Sequence, residues 1–162
     1  MKKTMMLPLC LVALLFVVPV FAKPAGKSSI IQLYLVEKEP SGEWPTIEDG
    51  AWGKLTYNIA TGKFVFNGHE LEASEEYTLI NFARVDSEWP ATINVLGGGT
   101  ANGGGNVHIA GNYAYADLEY DETPGSGSLD GYKIWLVLTE DLADETLAGW
   151  TPSEYLFESE LI

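Results

Sequence analysis

The acidic segment ADLEYDETPGSGSLDG, residues 116–131, carries the residue types best suited to bind a hard cation. On an extended chain Asp117, Glu119 and Asp121 lie on the same side, because side chains along a strand alternate with a period of two. Asp130 follows a glycine- and serine-rich stretch and adds a fourth carboxylate. Since calcium takes carboxylate oxygens as ligands, we predict a calcium site formed by Asp117, Glu119, Asp121 and Asp130. The EF-hand pattern is absent, and a solvated acidic loop is the alternative interpretation.

Tryptophans beside turns form the second group with a chemical use. Trp52, Trp89 and Trp150 lie at or near turn-rich segments. Flat aromatic rings exposed on a β-sheet protein can stack against pyranose rings, and we predict that these three tryptophans contact a polysaccharide. The alternative is that they fill the open ends of the fold. Trp135 lies within the apolar run KIWLVL and is predicted to belong to a buried central strand.

The two histidines of the chain give a weaker metal-binding signal. His69 and His108, with Glu70 or Glu72, offer the ligand types of a mononuclear metal site. Their separation matches neither H-x-H nor H-E-x-x-H, the spacings that place two histidines on one surface. We therefore predict structural roles, with His69 in a turn and His108 on a strand.

Catalytic motifs are absent from the sequence. The stretch PGSGS at 124–128 does not fit the G-x-S-x-G pattern of a serine nucleophile. Paired carboxylates for glycoside hydrolysis remain available in so acidic a chain, although no acid stands out as buried within an apolar run, where its pKa would rise. We predict a protein that is not an enzyme, with a secreted carboxylate-dependent hydrolase as the alternative.

The glycine-rich stretch VLGGGTANGGGNVHI, residues 95–109, is not a phosphate-binding loop. It lacks the lysine of a P-loop, and the strand-like NVHI follows it where a dinucleotide-binding motif needs a helix. Asn102-Gly103 is typical of a tight turn, and the neighbouring glycines permit a bulge or a close approach of backbones. This stretch is predicted to be a glycine-rich β-hairpin.

Short apolar runs with a period of two dominate the chain and alternate with turn-forming segments. This pattern predicts an all-β protein, an antiparallel β-sandwich of about seven to nine strands. The one helical candidate is TEDLADETLAG at 139–149, which allows at most one short helix near 140–148.

The N-terminal residues 1–22 have a positive head, an apolar middle and Ala22 at the end, and they predict a secretory signal cleaved after Ala22. An uncleaved anchor is the alternative. Residues 23–29 are predicted to be a flexible lead-in and residues 30–162 a single domain. The expected location is therefore secreted or extracytoplasmic.

The charge balance and the cysteine content exclude several classes of partner and of chemistry. Without the two lysines of the leader, seven basic residues face 23 acidic ones, a balance that excludes nucleic acid and anionic membrane surfaces as partners. The one cysteine, Cys10, lies in the leader, so thiolate chemistry and Cys-ligated metals are excluded as well. The sequence predicts an exported interaction or structural module of the cell envelope or medium, whose ligands are calcium, a polysaccharide or another surface protein.

Four stretches carry a resemblance to a known group: residues 64–80, 104–109, 133–138 and 149–158, from FVFNGHELEASEEYTLI to GWTPSEYLFE. Together they resemble a group of secreted proteins from methanogenic archaea and some bacteria. Members usually have glycine at the position of Glu70, and some have cysteines that this chain lacks, together with any disulfide those cysteines form. The resemblance implies a secreted all-β domain and identifies no catalytic residue.

Overall fold

Alternation of apolar and polar residues gives the protein its strands, as the computed structural model shows for the residues it describes, 29–82, 89–118 and 133–159. These residues contain no α-helix and form ten strands, three of them only two or three residues long. The strands are β1 (Ile30–Glu37), β2 (Trp52–Asn58), β3 (Lys63–His69), β4 (Glu76–Phe82), β5 (Ala91–Thr100), β6 (Val107–Asn112), β7 (Ile134–Leu138), β8 (Leu142–Ala143), β9 (Thr146–Leu147) and β10 (Leu156–Glu158).

All ten strands belong to one curled sheet, in the order β6-β3-β2-β1-β10-β7-β4-β5-β9-β8. Every pairing between neighbours is antiparallel. The all-β class and the antiparallel pairing predicted from sequence are thus confirmed. The predicted division into two facing sheets is not, since hydrogen bonds connect all ten strands into one sheet that curls around its own core.

The core lies on the inner side of this sheet. Along β2 and β3, Leu55, Tyr57, Phe64 and Phe66 are buried while the residues between them face outward. Strand β4 differs, because every residue from Tyr77 to Asn81 is buried. The middle of the sheet is therefore covered on both faces, whereas β2 and β3 have one face in solvent.

The glycine-rich stretch forms the tight turn that the sequence predicts, but the strands on its two sides do not pair with each other. The turn closes with hydrogen bonds from Gly105 N to Asn102 O and from Asn102 N to Asn106 O. The strands on either side form no ladder with each other, because β5 pairs with β4 and β9 and β6 pairs with β3. The predicted hairpin is wrong in this respect.

A bulge and a close approach, both anticipated, are present in β5. The register between β4 and β5 shifts between Leu79 and Ile80. A Cβ placed on Gly97 would lie 3.0 Å from Ile109 Cγ2, and one on Gly99 would lie 3.1 Å from Val107 Cγ2. The glycines thus let buried side chains of β6 rest on the backbone of β5.

The segment predicted as a helix is a hairpin. Residues Thr139–Asp141 form one 3-10 turn, and β8 and β9 pair directly after it across Asp144, which has a φ of 55°. The Thr139 hydroxyl lies 2.8 Å from the hydroxyl of Thr78 on β4. The hairpin is favoured because it buries Leu147 fully and pairs it with β5.

The predicted signal, residues 1–22, lies outside the described residues, as does the lead-in up to residue 28. Within the part of the chain that is described, no helix has the length and apolar character needed to cross a membrane.

The packing around Gly53 gives a test of this fold. A Cβ on Gly53 would lie 2.2 Å from the Phe66 ring, so Gly53→Ala must displace a fully buried side chain. We expect a loss of about 1–3 kcal/mol in the free energy of unfolding, measured by urea denaturation. Gly103→Ala is the matched control, since no atom lies within 4 Å of its added Cβ, and it should change stability by less than about 0.5 kcal/mol. Equal effects of the two variants would contradict the packing described here.

Candidate functional site

Aromatic side chains from four segments meet over β7 and β10. Trp135 of β7 and Phe157 of β10 have ring centroids 5.2 Å apart, and Trp44, from the segment after β1, lies 5.3 Å from Phe157. Trp150, from the segment after β9, lies 6.1 Å from both Trp44 and Trp135. Most of these contacts are edge-to-face or tilted, the arrangements that aromatic pairs prefer. The rings therefore form one packed cluster with fixed orientations.

Beside this cluster lies a cavity of about 310 Å³, which we call the tryptophan pocket. Its volume is at the lower end of the range of about 300–1,000 Å³ that small-molecule sites occupy. The described residues of its walls are mainly aromatic, with three charged side chains among them. The lining residues are Lys38, Trp44, Lys133, Trp135, Trp150, Phe157 and Glu158.

Among the described residues that line the pocket, Glu158 is the one carboxylate. The indole Nε1 of Trp135 donates a hydrogen bond of 2.6 Å to its Oε2. Burial raises the pKa of Glu158, while that hydrogen bond and the charges of Lys38 and Lys133 act in the opposite direction without cancelling the rise. The pocket thus combines apolar ring faces with a desolvated acid and two ammonium groups.

The three tryptophans predicted to stack on a polysaccharide do not all lie together. Trp150 lines the pocket and is 45% exposed. Trp89 packs edge-on against Trp150 at 5.7 Å, donates from Nε1 to Ala148 O and keeps 51% of its surface exposed. Trp52 lies elsewhere, on β2, where it stacks on His69 at 4.4 Å.

Two inferences from the sequence need correction at this site. Trp135 was predicted to be buried, but it is only partly buried and lines the pocket. Glu158 does follow an apolar run, YLF, and is the desolvated acid that the sequence was expected to lack. The apolar residues immediately before Glu158 were the signal that could have found it.

Of the four residues of the predicted calcium site, the structure describes one. Asp117 ends the 3-10 turn Tyr115–Asp117 and is exposed. Glu119, Asp121 and Asp130 lie outside the described residues. Among the residues that are described, no three His, Cys, Asp or Glu side chains are grouped to hold a metal ion. Calcium binding by the 116–131 segment stays a prediction.

Each histidine is hydrogen-bonded to an asparagine: His69 to Asn106, the residue before β6, and His108 to Asn67 on β3. His69 Nδ1 lies 2.8 Å from Asn106 Oδ1, and His108 Nδ1 lies 2.8 Å from Asn67 Oδ1. His108 is on β6 as predicted, whereas His69 is the last residue of β3 and not part of a turn.

A second cleft, far smaller, gathers acids. It has a volume of about 70 Å³ and is lined by Glu37, Glu70, Glu72 and Glu154, among other residues. Burial raises the pKa of Glu154, and the negative charges of Glu72, Glu75, Glu140 and Asp141 raise it further. A space of this size holds a few water molecules and no sugar ring. We therefore place the candidate binding site in the tryptophan pocket.

Compared with protein-family models, with curated proteins and with solved structures, the chain matches none. The resemblance to a group of secreted proteins stays a prediction.

The buried carboxyl gives a prediction about pH. Because the folded protein raises the pKa of Glu158, its ionised form costs stability, and this cost grows as pH rises from the unfolded-state value of 4.5 through the folded pKa. Glu158→Gln keeps an oxygen to accept the Trp135 hydrogen bond and removes the charge. We expect the Tm of Glu158→Gln to exceed that of the wild type at neutral pH, with the difference vanishing below about pH 4.

The exposed Glu145→Gln variant serves as the control in the same series of thermal scans. Its stability should stay within about 0.5 kcal/mol of the wild type. A Glu158→Gln protein that is less stable than the wild type at neutral pH would contradict the prediction, because it would show that the ionised carboxylate stabilises the fold.

Proposed function

We propose that the protein is an exported carbohydrate-binding module without catalytic activity, and that the tryptophan pocket holds one sugar ring of a polysaccharide of the cell envelope or medium. The single observation that carries this proposal is the combination of three tryptophans and one phenylalanine around a 310 Å³ cavity that also contains a desolvated carboxylate. Export is supported by the sequence of residues 1–22.

Each component of the pocket has a role in holding a sugar. A pyranose has apolar C–H faces and polar hydroxyl edges, so an aromatic ring covers one of its faces while charged groups bond to its rim. Glu158 accepts hydrogen bonds from hydroxyls, and Lys38 and Lys133 donate them. Hydrogen bonds to charged groups contribute about 1.5–3 kcal/mol each, more than bonds between neutral groups.

The tryptophans of the pocket are held in fixed orientations, which favours a role in binding a sugar ring. Trp135 is fixed by Phe82, which stacks on it at 4.3 Å, and by its bond to Glu158. Trp150 contacts Tyr155 edge-on at 5.6 Å. Rings that are held in place before binding lose little conformational entropy when the ligand arrives.

The alternative function, a carboxylate-dependent hydrolase, needs two acids facing a glycosidic bond at about 5–10 Å from each other. In the lining of the tryptophan pocket Glu158 is the one acid among the described residues. This favours binding over hydrolysis, and the experiment below includes a direct assay of cleavage.

Removal of Trp150 tests the proposal. We expect Trp150→Ala to weaken binding at least about tenfold, because a large aromatic anchor in a desolvated pocket carries much of the binding free energy. Titration calorimetry with glucose, galactose and galacturonate, and with their polymers, measures the change. Trp150→Phe keeps a ring and should retain part of the affinity.

Val95→Ala, on β5 and outside the pocket lining, is the control for a general surface effect, and the Tm of each variant is recorded. Equal affinity of wild type and Trp150→Ala would overturn the proposal. Release of new reducing ends from a bound polymer, lost in Glu158→Gln, would replace it with the hydrolase.

A further inference from the structure

A row of directly opposed residues connects the tryptophan pocket with the open face of the sheet. Phe157 of β10 is opposite Val36 of β1, Val36 is opposite Trp52 of β2, and Trp52 is opposite His69 of β3. Opposed residues of an antiparallel pair lie on the same face, so this row runs across four strands on the outer side. With strands about 4.8 Å apart, it is roughly 14 Å long.

The outer face of β1, β2, β3 and β6 has no carboxylate. Its outward positions are every second residue from Ile30, Trp52, Lys63 and His108 to the end of each strand, and none of them is aspartate or glutamate. In a chain with 23 acidic residues this is a marked segregation of charge. The face instead presents amides, hydroxyls, two histidines and exposed rings.

The lysines of the described residues lie at the tryptophan pocket and on the outer face. The described residues contain four basic side chains apart from histidine: Lys38 and Lys133 line the tryptophan pocket, and Lys54 and Lys63 lie on the outer face. The ammonium of Lys54 lies 5.4 Å above the Tyr34 ring, which orients it on that face. All lysines of the described part therefore lie at the pocket or along the surface that leads away from it.

The dimensions of the outer face indicate what could cover it. Four strands of about seven residues make a surface of roughly 19 Å by 23 Å, or about 440 Å². An open sheet face of this width that continues into a pocket suits an extended polymer, which can follow the face from one strand to the next.

We propose that the binding site continues from the tryptophan pocket along the row Phe157, Val36, Trp52 and His69, and that its ligand is an anionic polysaccharide. This inference rests on the proposed function and adds the length and charge of the ligand. Glu37 and Glu70, which follow Val36 and His69 in the chain, line the small second cleft. Lys38 and Lys133 line the tryptophan pocket and Lys54 lies beside Trp52 on the outer face, so the carboxylates or sulfates of a bound chain can pair with their ammonium groups.

The experiment compares two matched pairs of polymers, polygalacturonate with its methyl ester and dextran sulfate with dextran. We expect each acidic polymer to bind at least about tenfold more tightly than its neutral counterpart, and the difference to shrink as salt is raised. A long galacturonate oligomer should likewise bind about tenfold more tightly than the monosaccharide.

Variants separate the pocket from the outer face. Trp52→Ala and Lys54→Gln, which change two neighbouring outward residues of β2, should each reduce the advantage of the long oligomer and leave the monosaccharide affinity unchanged. Trp150→Ala should weaken both, and Val95→Ala neither. Trp52→Ala removes the stacking contact with His69 at the surface. The Tm of each variant is therefore measured to confirm that the variant is folded.

The outcomes distinguish this inference from the function beneath it. If the monosaccharide binds and Trp150→Ala weakens it, but the oligomer binds no more tightly, the pocket function stands and the extended site is wrong. If neutral polymers bind as tightly as acidic ones, the anionic ligand is wrong. If no saccharide in either experiment binds, both proposals fall.

Discussion

Burial of the central strands on both faces is the constraint on which the rest of the structure depends. Strands β4 and β7 lie in the middle of the sheet, and their residues are buried almost without alternation. The inner face of these two strands packs into the core enclosed by the curled sheet, through Leu79 and Leu136. Their outer face must be covered by other side chains. Phe82, Phe157 and Trp150 supply that cover around Trp135, and the segments carrying them are fixed as a result. The pocket exists because this cover is made of rings that do not fill all the space between them.

The sequence predicted those parts of the fold that a local period can reveal. In β2 and β3, Leu55, Tyr57, Phe64 and Phe66 alternate with outward residues, and both strands were recognisable without a structure. The number of sheets was not, because alternation identifies a buried face and not the element that buries it. Strands β8 and β9 have two residues each, which is too few to show a period of two. The segment that contains them could therefore be mistaken for a short helix.

The candidate site was predictable to a lesser degree. Trp150 was identified through its turn-rich surroundings, whereas Trp135 and Glu158 were missed because their roles depend on contacts with segments distant in the chain. An apolar run such as KIWLVL predicts burial but cannot say which residue faces a gap in the cover. The pairing of Trp52 with His69 also required the register between β2 and β3, which no sequence motif gives.

The packing of β6 against β5 has a consequence for how the protein behaves beside other copies of itself. Strand β6 ends the described sheet and has a ladder with β3 alone, so its other side is a potential template on which further strands could polymerise. The curl brings β5 against that side: a Cβ on Gly111 would lie 3.4 Å from Leu96 O, and one on Gly99 would lie 3.3 Å from His108 O. At the other end, β8 is only two residues long. Both edges of the sheet are thereby protected from aggregation, one by glycine-mediated contact and the other by brevity.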